Sequence, residues 1–298
     1  MDEAILDVIA RFVHERSRLC FSAQRRSILK QRLAGRLTQL KVPNLAAYWD
    51  HLRNCSREET TLLDILTTNE TSFFRNPGQF RFLAERIIPK LEKERGEAIM
   101  RSWGRGGSSP ASSIMKMRIL CAGCSTGEEP YSVAMALVEA LRYPRAWNID
   151  ILAGDLSESC IGTAAAGYYA AERLKGLPDA YIDRYMERRG NGAVIKDEIK
   201  RLISFHRLNL GNIMSMPGTE SYREPFDIIF CRNVMIYFSA EAQQQLVDTL
   251  FRLLVPGGYL FTGDAEPLHL YDHDFEAVRE AGCLIYKKAE AMKNAEAV

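Results

Sequence analysis

The run MRILCAGCSTGEEPYSVAMALVEA, Met117 to Ala140, constrains this chain more than any other stretch of it. Ile119, Leu120 and Cys121 form the short apolar run of a strand buried on both faces, as in a parallel sheet. Gly123 and Gly127 supply backbone freedom for a tight turn, and Pro130 suits the first turn of a helix, where its missing donor is no loss. Strand, glycine turn and helix together predict the ligand crevice of an open α/β sheet. A helix N-terminus attracts phosphate, yet Glu128 and Glu129 would repel a pyrophosphate placed there. The spacing is not G-x-G-x-x-G, and no lysine completes a phosphate loop. A cationic ligand with a nucleoside and no phosphate fits better.

Three further segments extend the pattern. Trp147 to Glu158 reads as a second apolar strand ending in Asp155, 32 residues after Gly123. An acid closing the second strand of such a unit binds ribose hydroxyls. Pro225 to Phe238 gives a strand whose carboxyl end carries Arg232 and Asn233. Leu250 to Asp264 reads as a helix stopped at Pro256-Gly257-Gly258 and then a strand. In this order the units predict a methyltransferase crevice for S-adenosylmethionine, which carries a sulfonium and an ammonium.

Longer motifs then narrow the reading. TNETSFFR (Thr68 to Arg75), GCSTGEEPYS (Gly123 to Ser132), LNL (Leu208 to Leu210) and FCRNVMIYF (Phe230 to Phe238) resemble the chemotaxis receptor methyltransferase family, the CheR type. The resemblance covers nearly the whole chain. It implies an α/β protein with a Rossmann-like seven-stranded class I methyltransferase sheet, a small N-terminal all-helical domain (1–67) and a methyltransferase domain (68–298) holding a small antiparallel β insertion. The implied activity is protein-glutamate O-methylation of chemoreceptors, with S-adenosylmethionine converted to S-adenosylhomocysteine and no metal. By the same resemblance Asn69, Thr71, Arg75, Glu129, Asp155, Asn209, Leu210, Arg232 and Asn233 line the cofactor site. Arg75 and Tyr237 face the methyl acceptor. Gly263-Asp264-Ala265-Glu266 departs from the glycine-histidine-serine-glutamate run common in the family, and these residues are left outside the predicted site.

Composition agrees. A length of 298 residues accommodates one large and one smaller domain, and 47% apolar residues can fill a sizeable core. A formal charge of +1 gives no general attraction to nucleic acid. No apolar run reaches the roughly 18–20 residues that span a bilayer, and the start MDEAILDVIARF lacks the blocks of a secretory signal. Seven scattered cysteines suit a reducing compartment, the cytoplasm. Cys121-x-x-Cys124 has no second pair at ligand spacing to make a metal site.

Ile5 to Val13, Ile28 to Leu40, Leu45 to Leu52 and Glu58 to Leu66 carry helical periodicity. From Arg16 to Trp49 there are eight Lys or Arg and no Asp or Glu. Arg25, Arg32 and Arg36 fall on one helical stripe, which reads as an ordinary solvated face or a surface for an acidic protein; the resemblance favours the second, the acidic methylation helices of a chemoreceptor, with the enzyme a monomer. Residues 94–117, rich in Gly and Ser, read as a mobile linker without chemistry. Between Gly167 and Arg207 an Asn191-Gly192 turn predicts a hairpin. In some family members the β insertion here grips a receptor tail, and its shortness argues against such a tether. Gly282 to Lys288 is expected to supply an antiparallel edge strand.

The chemistry asks for no general base. A glutamate with a reference pKa of about 4.3 is already an ionised nucleophile at neutral pH. Alignment and exclusion of water are what help. His14, His51, His206, His269 and His273 are therefore not needed as catalysts. Arg75 suits a carboxylate through its planar fork, and Tyr237 offers a hydroxyl beside it. A non-catalytic signalling adaptor and a small-molecule carboxyl methyltransferase are the competing readings. The first leaves Arg75 and Tyr237 without a role, and the second leaves the basic helix without one.

Overall fold

The computed structural model describes residues 3–22, 25–104, 115–213, 224–280 and 282–290. The chain opens with α1 (Glu3–Ser17), α2 (Arg26–Leu40), α3 (Leu45–Asn54) and α4 (Ser56–Leu66). Each turns one apolar stripe inward. Leu6, Ile9 and Val13 of α1, Leu29 and Leu33 of α2, Tyr48 of α3 and Leu62 of α4 are buried in one core. Asn44 caps α3, its side chain accepting the Ala47 N–H at 2.9 Å.

The basic stripe of α2 is largely engaged inside this bundle. Arg36 grips the buried Glu58 with Nε (2.9 Å) and Nη2 (2.6 Å), and the Tyr48 hydroxyl donates to the same carboxylate. Arg32 donates to the Ile65 and Thr67 carbonyls at the end of α4. Arg26 and Lys30 pair with Glu3, and Arg26 also with Asp7. The acids that balance the stripe lie outside the 16–49 window, on α1 and α4, so the window looked uncompensated. Of the three stripe arginines, Arg25 instead lies over the Tyr237 ring.

Burial pushes the Glu58 carboxyl up, but the hydrogen bonds from Arg36 and Tyr48 bring it below its ordinary value. Such a group adds stability above the ordinary value and loses it as pH falls through the lowered one. Arg36→Met is therefore expected to cost about 1.5–3 kcal/mol. The deficit should shrink in acid. Urea unfolding across pH checks both the size and the trend.

The larger sheet is built from β1 (Lys116–Ala122), β2 (Asn148–Asp155), β6 (Ile203–Arg207), β7 (Phe226–Cys231), β8 (Leu254–Thr262), β9 (Phe275–Glu280) and β10 (Cys283–Lys288), in the order β6-β2-β1-β7-β8-β10-β9. A second, antiparallel sheet holds β3 (Tyr168–Ala170), β5 (Gly192–Ile195) and β4 (Met186–Arg189), in that order. Parallel pairing sets Ile119 beside Ile151 and Ile228. Successive side chains alternate between faces. Ile119, Cys121 and Phe230 join one core, while Leu120, Ala122 and Ile229 join the other. Burial on both faces explains the unbroken apolar runs of the sequence.

Two expectations change. Gly282–Lys288 is antiparallel, as read, but β10 lies between β8 and β9. The edge falls to β9, whose FEAVRE sequence is half polar and, past Phe275, leaves its side chains exposed or half-buried. The segment 94–117 is not all linker. After α5 (Pro77–Phe82), a helix, α6 (Ile88–Gly104), runs through its first part, and β1 begins at Lys116. The Gly- and Ser-rich residues 105–114 lie outside the described residues.

Candidate active site

Strand order reverses between β1 and β7, and a crevice opens there at the carboxyl ends of the strands. An open cleft of about 890 Å³ occupies it. All ten residues singled out in the sequence line this cleft: Asn69, Thr71, Arg75, Glu129, Asp155, Asn209, Leu210, Arg232, Asn233 and Tyr237. The helical region supplies part of the wall through Ser17, Leu19 and Leu66, which the sequence did not single out. A main-chain bridge between Leu19 and Phe238, and a Cys20 N–H to Tyr237 carbonyl bond of 2.8 Å, seat that wall.

The glycine turn is fixed by β2. The Gly123 and Cys124 N–H groups both donate to the Gly154 carbonyl, at 2.8 and 2.9 Å. Gly123 has φ +83°, and a Cβ there would lie 2.3 Å from Val234 Cγ2. Ser125, at φ +48°, donates its N–H to Asp155 Oδ2 at 2.8 Å, and Ser157 N–H donates to Oδ1 at 2.9 Å. Burial raises the Asp155 carboxyl and these backbone donors pull it back down, with the net direction upward.

α7 (Glu128–Ala140) starts at this turn. The two carboxylates at its head do not act together, because successive helical residues point about 100° apart. Glu128 is fully buried, accepting from Arg173 Nε and from Thr126 Oγ1, each at 2.8 Å. Glu128 is thus tied to the segment after β3, and only Glu129 faces the cleft. Burial raises the Glu129 carboxyl, opposed by the nearby Arg232 guanidinium.

Arg232, 5% exposed, joins three segments. It donates to Glu129 Oε2 (3.1 Å), to the Arg75 carbonyl (2.6 Å) and to Asn76 Oδ1. Phe74 and Asn76, on either side of Arg75, both take positive φ, as does Asn233. Left-handed non-glycine residues are strained and gather at functional sites. Arg75 Nη1 donates to the Glu70 carbonyl at 3.1 Å. The Asn209 amide donates to the Arg16 carbonyl at 2.6 Å, so its side chain also ties the wall to α1. Tyr237 lies beneath Arg25, whose guanidinium sits 4.8 Å from the ring centroid.

The cleft fits a nucleoside-bearing cation. Glu129 and Asp155 supply carboxylates to its lining. Two buried polar atoms of lining residues, Ser125 Oγ and Arg232 Nε, have no protein hydrogen-bond partner. Glu266 is the residue that the sequence reading named and left outside the site. It is 2% exposed and accepts from the backbone of Gly263, Asn233 and Ile236. The available signal was the glutamate that the Gly263–Glu266 run keeps from the family's glycine-histidine-serine-glutamate pattern, four residues past β8.

A family model described as CheR methyltransferase, SAM binding domain, matches residues 69–283, and one described as CheR methyltransferase, all-alpha domain, matches residues 5–67. The chain is 34% identical over 232 residues to chemotaxis protein methyltransferase 1 of Pseudomonas aeruginosa, covering 76% of each. It is 32% identical over 287 residues to the chemotaxis protein methyltransferase of Vibrio parahaemolyticus, covering 93% of this chain and 94% of the relative. With chemotaxis protein methyltransferase 2 of Vibrio cholerae it shares 28% identity over 288 residues, 96% of this chain and 93% of the relative.

Proposed function

The chain belongs to the CheR methyltransferase family, and from that premise we propose that it transfers a methyl group from S-adenosylmethionine to glutamate side chains of a bacterial chemoreceptor, as a protein-glutamate O-methyltransferase in chemosensory adaptation. The observation that carries this reading is the convergence of ten residues, spread from Asn69 to Tyr237, on one cleft. Bound S-adenosylmethionine supplies an electrophilic methyl group on a sulfonium. Asp155 would hold the ribose hydroxyls, Glu129 would face the cationic end, and Asn69, Thr71, Asn209, Leu210, Arg232 and Asn233 would complete the cofactor wall. Arg75 orients the acceptor carboxylate, and the Tyr237 hydroxyl steadies the same group. The acceptor is ionised without help, so positioning and dehydration are the protein's contribution.

The chemoreceptor's acidic helices meet the basic end of the helical region (residues 1–67) at Arg25, whose guanidinium lies over the Tyr237 ring beside the cleft. This surface, and not a grip on a receptor tail, supplies the docking. We place the reaction in the cytoplasm, on a monomer. No helix among the described residues is long and apolar enough to cross a membrane.

The test is incubation with labelled S-adenosylmethionine and receptor cytoplasmic fragments, with or without the receptor's C-terminal residues. Base-labile label on glutamates is expected with both fragments. No transfer to any fragment sinks the assignment, and loss on tail removal sinks the docking mode. Tyr237→Phe keeps the ring under Arg25, so cofactor affinity should hold. Turnover should fall about tenfold, the scale of one charge-assisted hydrogen bond. A wild-type rate in this variant removes Tyr237 from the acceptor site.

A further inference from the structure

We propose that Glu266 is a positioning residue that sets both ends of the cleft-lining turn Arg232–Tyr237, acting through main-chain N–H groups without lining the cleft itself. The proposal rests on the methyltransferase reading above.

Glu266 follows β8 by four residues and is 2% exposed. Its Oε2 accepts from Asn233 N–H at 2.6 Å and from Gly263 N–H at 2.9 Å. Its Oε1 accepts from Ile236 N–H at 3.2 Å. Asn233 opens the turn, and Ile236 precedes Tyr237 at its close. Asn233 holds φ +59°, the left-handed region that asparagine enters more readily than other non-glycine residues. The carboxylate ties its N–H in that conformation. It forms no ion pair among the described residues, so its charge is balanced by converging backbone dipoles. The seat is tight. A Cβ on Gly263 would lie 2.7 Å from Glu266 Oε2 and 2.8 Å from Asn233 Nδ2.

Three donors aimed at one group require an acceptor on both arms, which a carboxylate offers and an amide does not. Glu266→Gln can keep its oxygen on the arm with two donors and must then turn its NH₂ toward Ile236 N–H. It should release the Tyr237 end while leaving the Asn233 end in place. Glu266→Ala releases both ends.

The two ends separate in measurement. In Glu266→Gln, affinity for S-adenosylhomocysteine by calorimetry should stay within about twofold while turnover falls roughly tenfold. Adding Tyr237→Phe to Glu266→Gln should then lower turnover little further, because the hydroxyl is already misplaced. In Glu266→Ala, product affinity should drop roughly tenfold or more. Gly263→Ala, whose Cβ displaces the carboxylate, should copy that loss, so a poorly folded Glu266→Ala does not end the test. Additive effects of Glu266→Gln and Tyr237→Phe, or wild-type product affinity in folded Glu266→Ala or Gly263→Ala, overturn the proposal. The calorimetric arm needs no acceptor, so a failure of the receptor assignment is read separately from a failure of Glu266.

Discussion

Arg232→Met is expected to destabilise the folded protein by about 3–5 kcal/mol, the cost of leaving a buried partner charge uncompensated. Arg232 is 5% exposed and is the ion-pair partner of Glu129, whose side chain is 12% exposed. Methionine preserves much of the volume against Phe80, over whose ring the guanidinium lies at 5.9 Å. The loss would therefore report charge and hydrogen bonds more than packing. It also frees the Arg75 carbonyl and Asn76 Oδ1, so the segment that presents Arg75 loses its anchor. The pH trend follows from Glu129. Burial raises its carboxyl already, and Arg232 is the main opposing influence. Without the guanidinium the rise grows. A carboxyl raised in the folded state contributes stability below its unfolded value and loses it as pH rises through the folded one. The variant's deficit relative to the parent should thus be larger at neutral pH than in mild acid. Urea melts at several pH values check this. A loss under about 1 kcal/mol, the range of an exposed pair, would mean that the ion pair is solvated.

Asp155→Ala should weaken S-adenosylmethionine by roughly 10- to 150-fold, the equivalent of about 1.5–3 kcal/mol for charge-assisted contacts. The tertiary structure adds a second consequence. Both carboxylate oxygens already accept backbone N–H groups, from Ser125 and Ser157. An ionised carboxylate has about four acceptor positions, so a ribose diol can share it with those donors. Alanine strands both N–H groups and releases the strained Ser125 turn, so a stability loss of about 1–3 kcal/mol accompanies the affinity loss. Asp155→Asn keeps an oxygen for one backbone donor and should lose affinity with less damage to the fold. Calorimetry with paired thermal melts resolves the two effects. Unchanged affinity in folded Asp155→Asn would take the charge of Asp155 out of cofactor binding.

Some features were legible because their causes are local. The short apolar runs of β1, β2 and β7 follow from burial on both faces. The stripes of α1 to α4 follow from one buried side at 3.6 residues per turn. Gly123 is demanded by a turn too close to Val234 for any side chain. The cleft residues were readable because turn chemistry and motif fall at the ends of those same strands. The partners of long charged side chains were not legible. Arg36 finds Glu58, Glu128 finds Arg173, and Arg32 finds two carbonyls at the end of α4. Each partner is 22 to 45 residues away, and nothing near either one in sequence indicates the other.

The sequence by itself thus determined most of the elements, the sheet class and ten of the residues that meet in the cleft. Strand and helix patterns report which face is buried, and that is set within a few residues. Tertiary structure alone decided which charges remain available. The α2 stripe looked free until α1 and α4 brought their acids to it, and both carboxylates at the head of α7 looked available to repel a phosphate until one turned toward Arg173. It also placed β10 inside the sheet and brought Glu266 under the Asn233 turn. A charge or a strained turn is settled by whichever groups the packed elements deliver within about 3 Å, and that delivery exists only once the chain has folded.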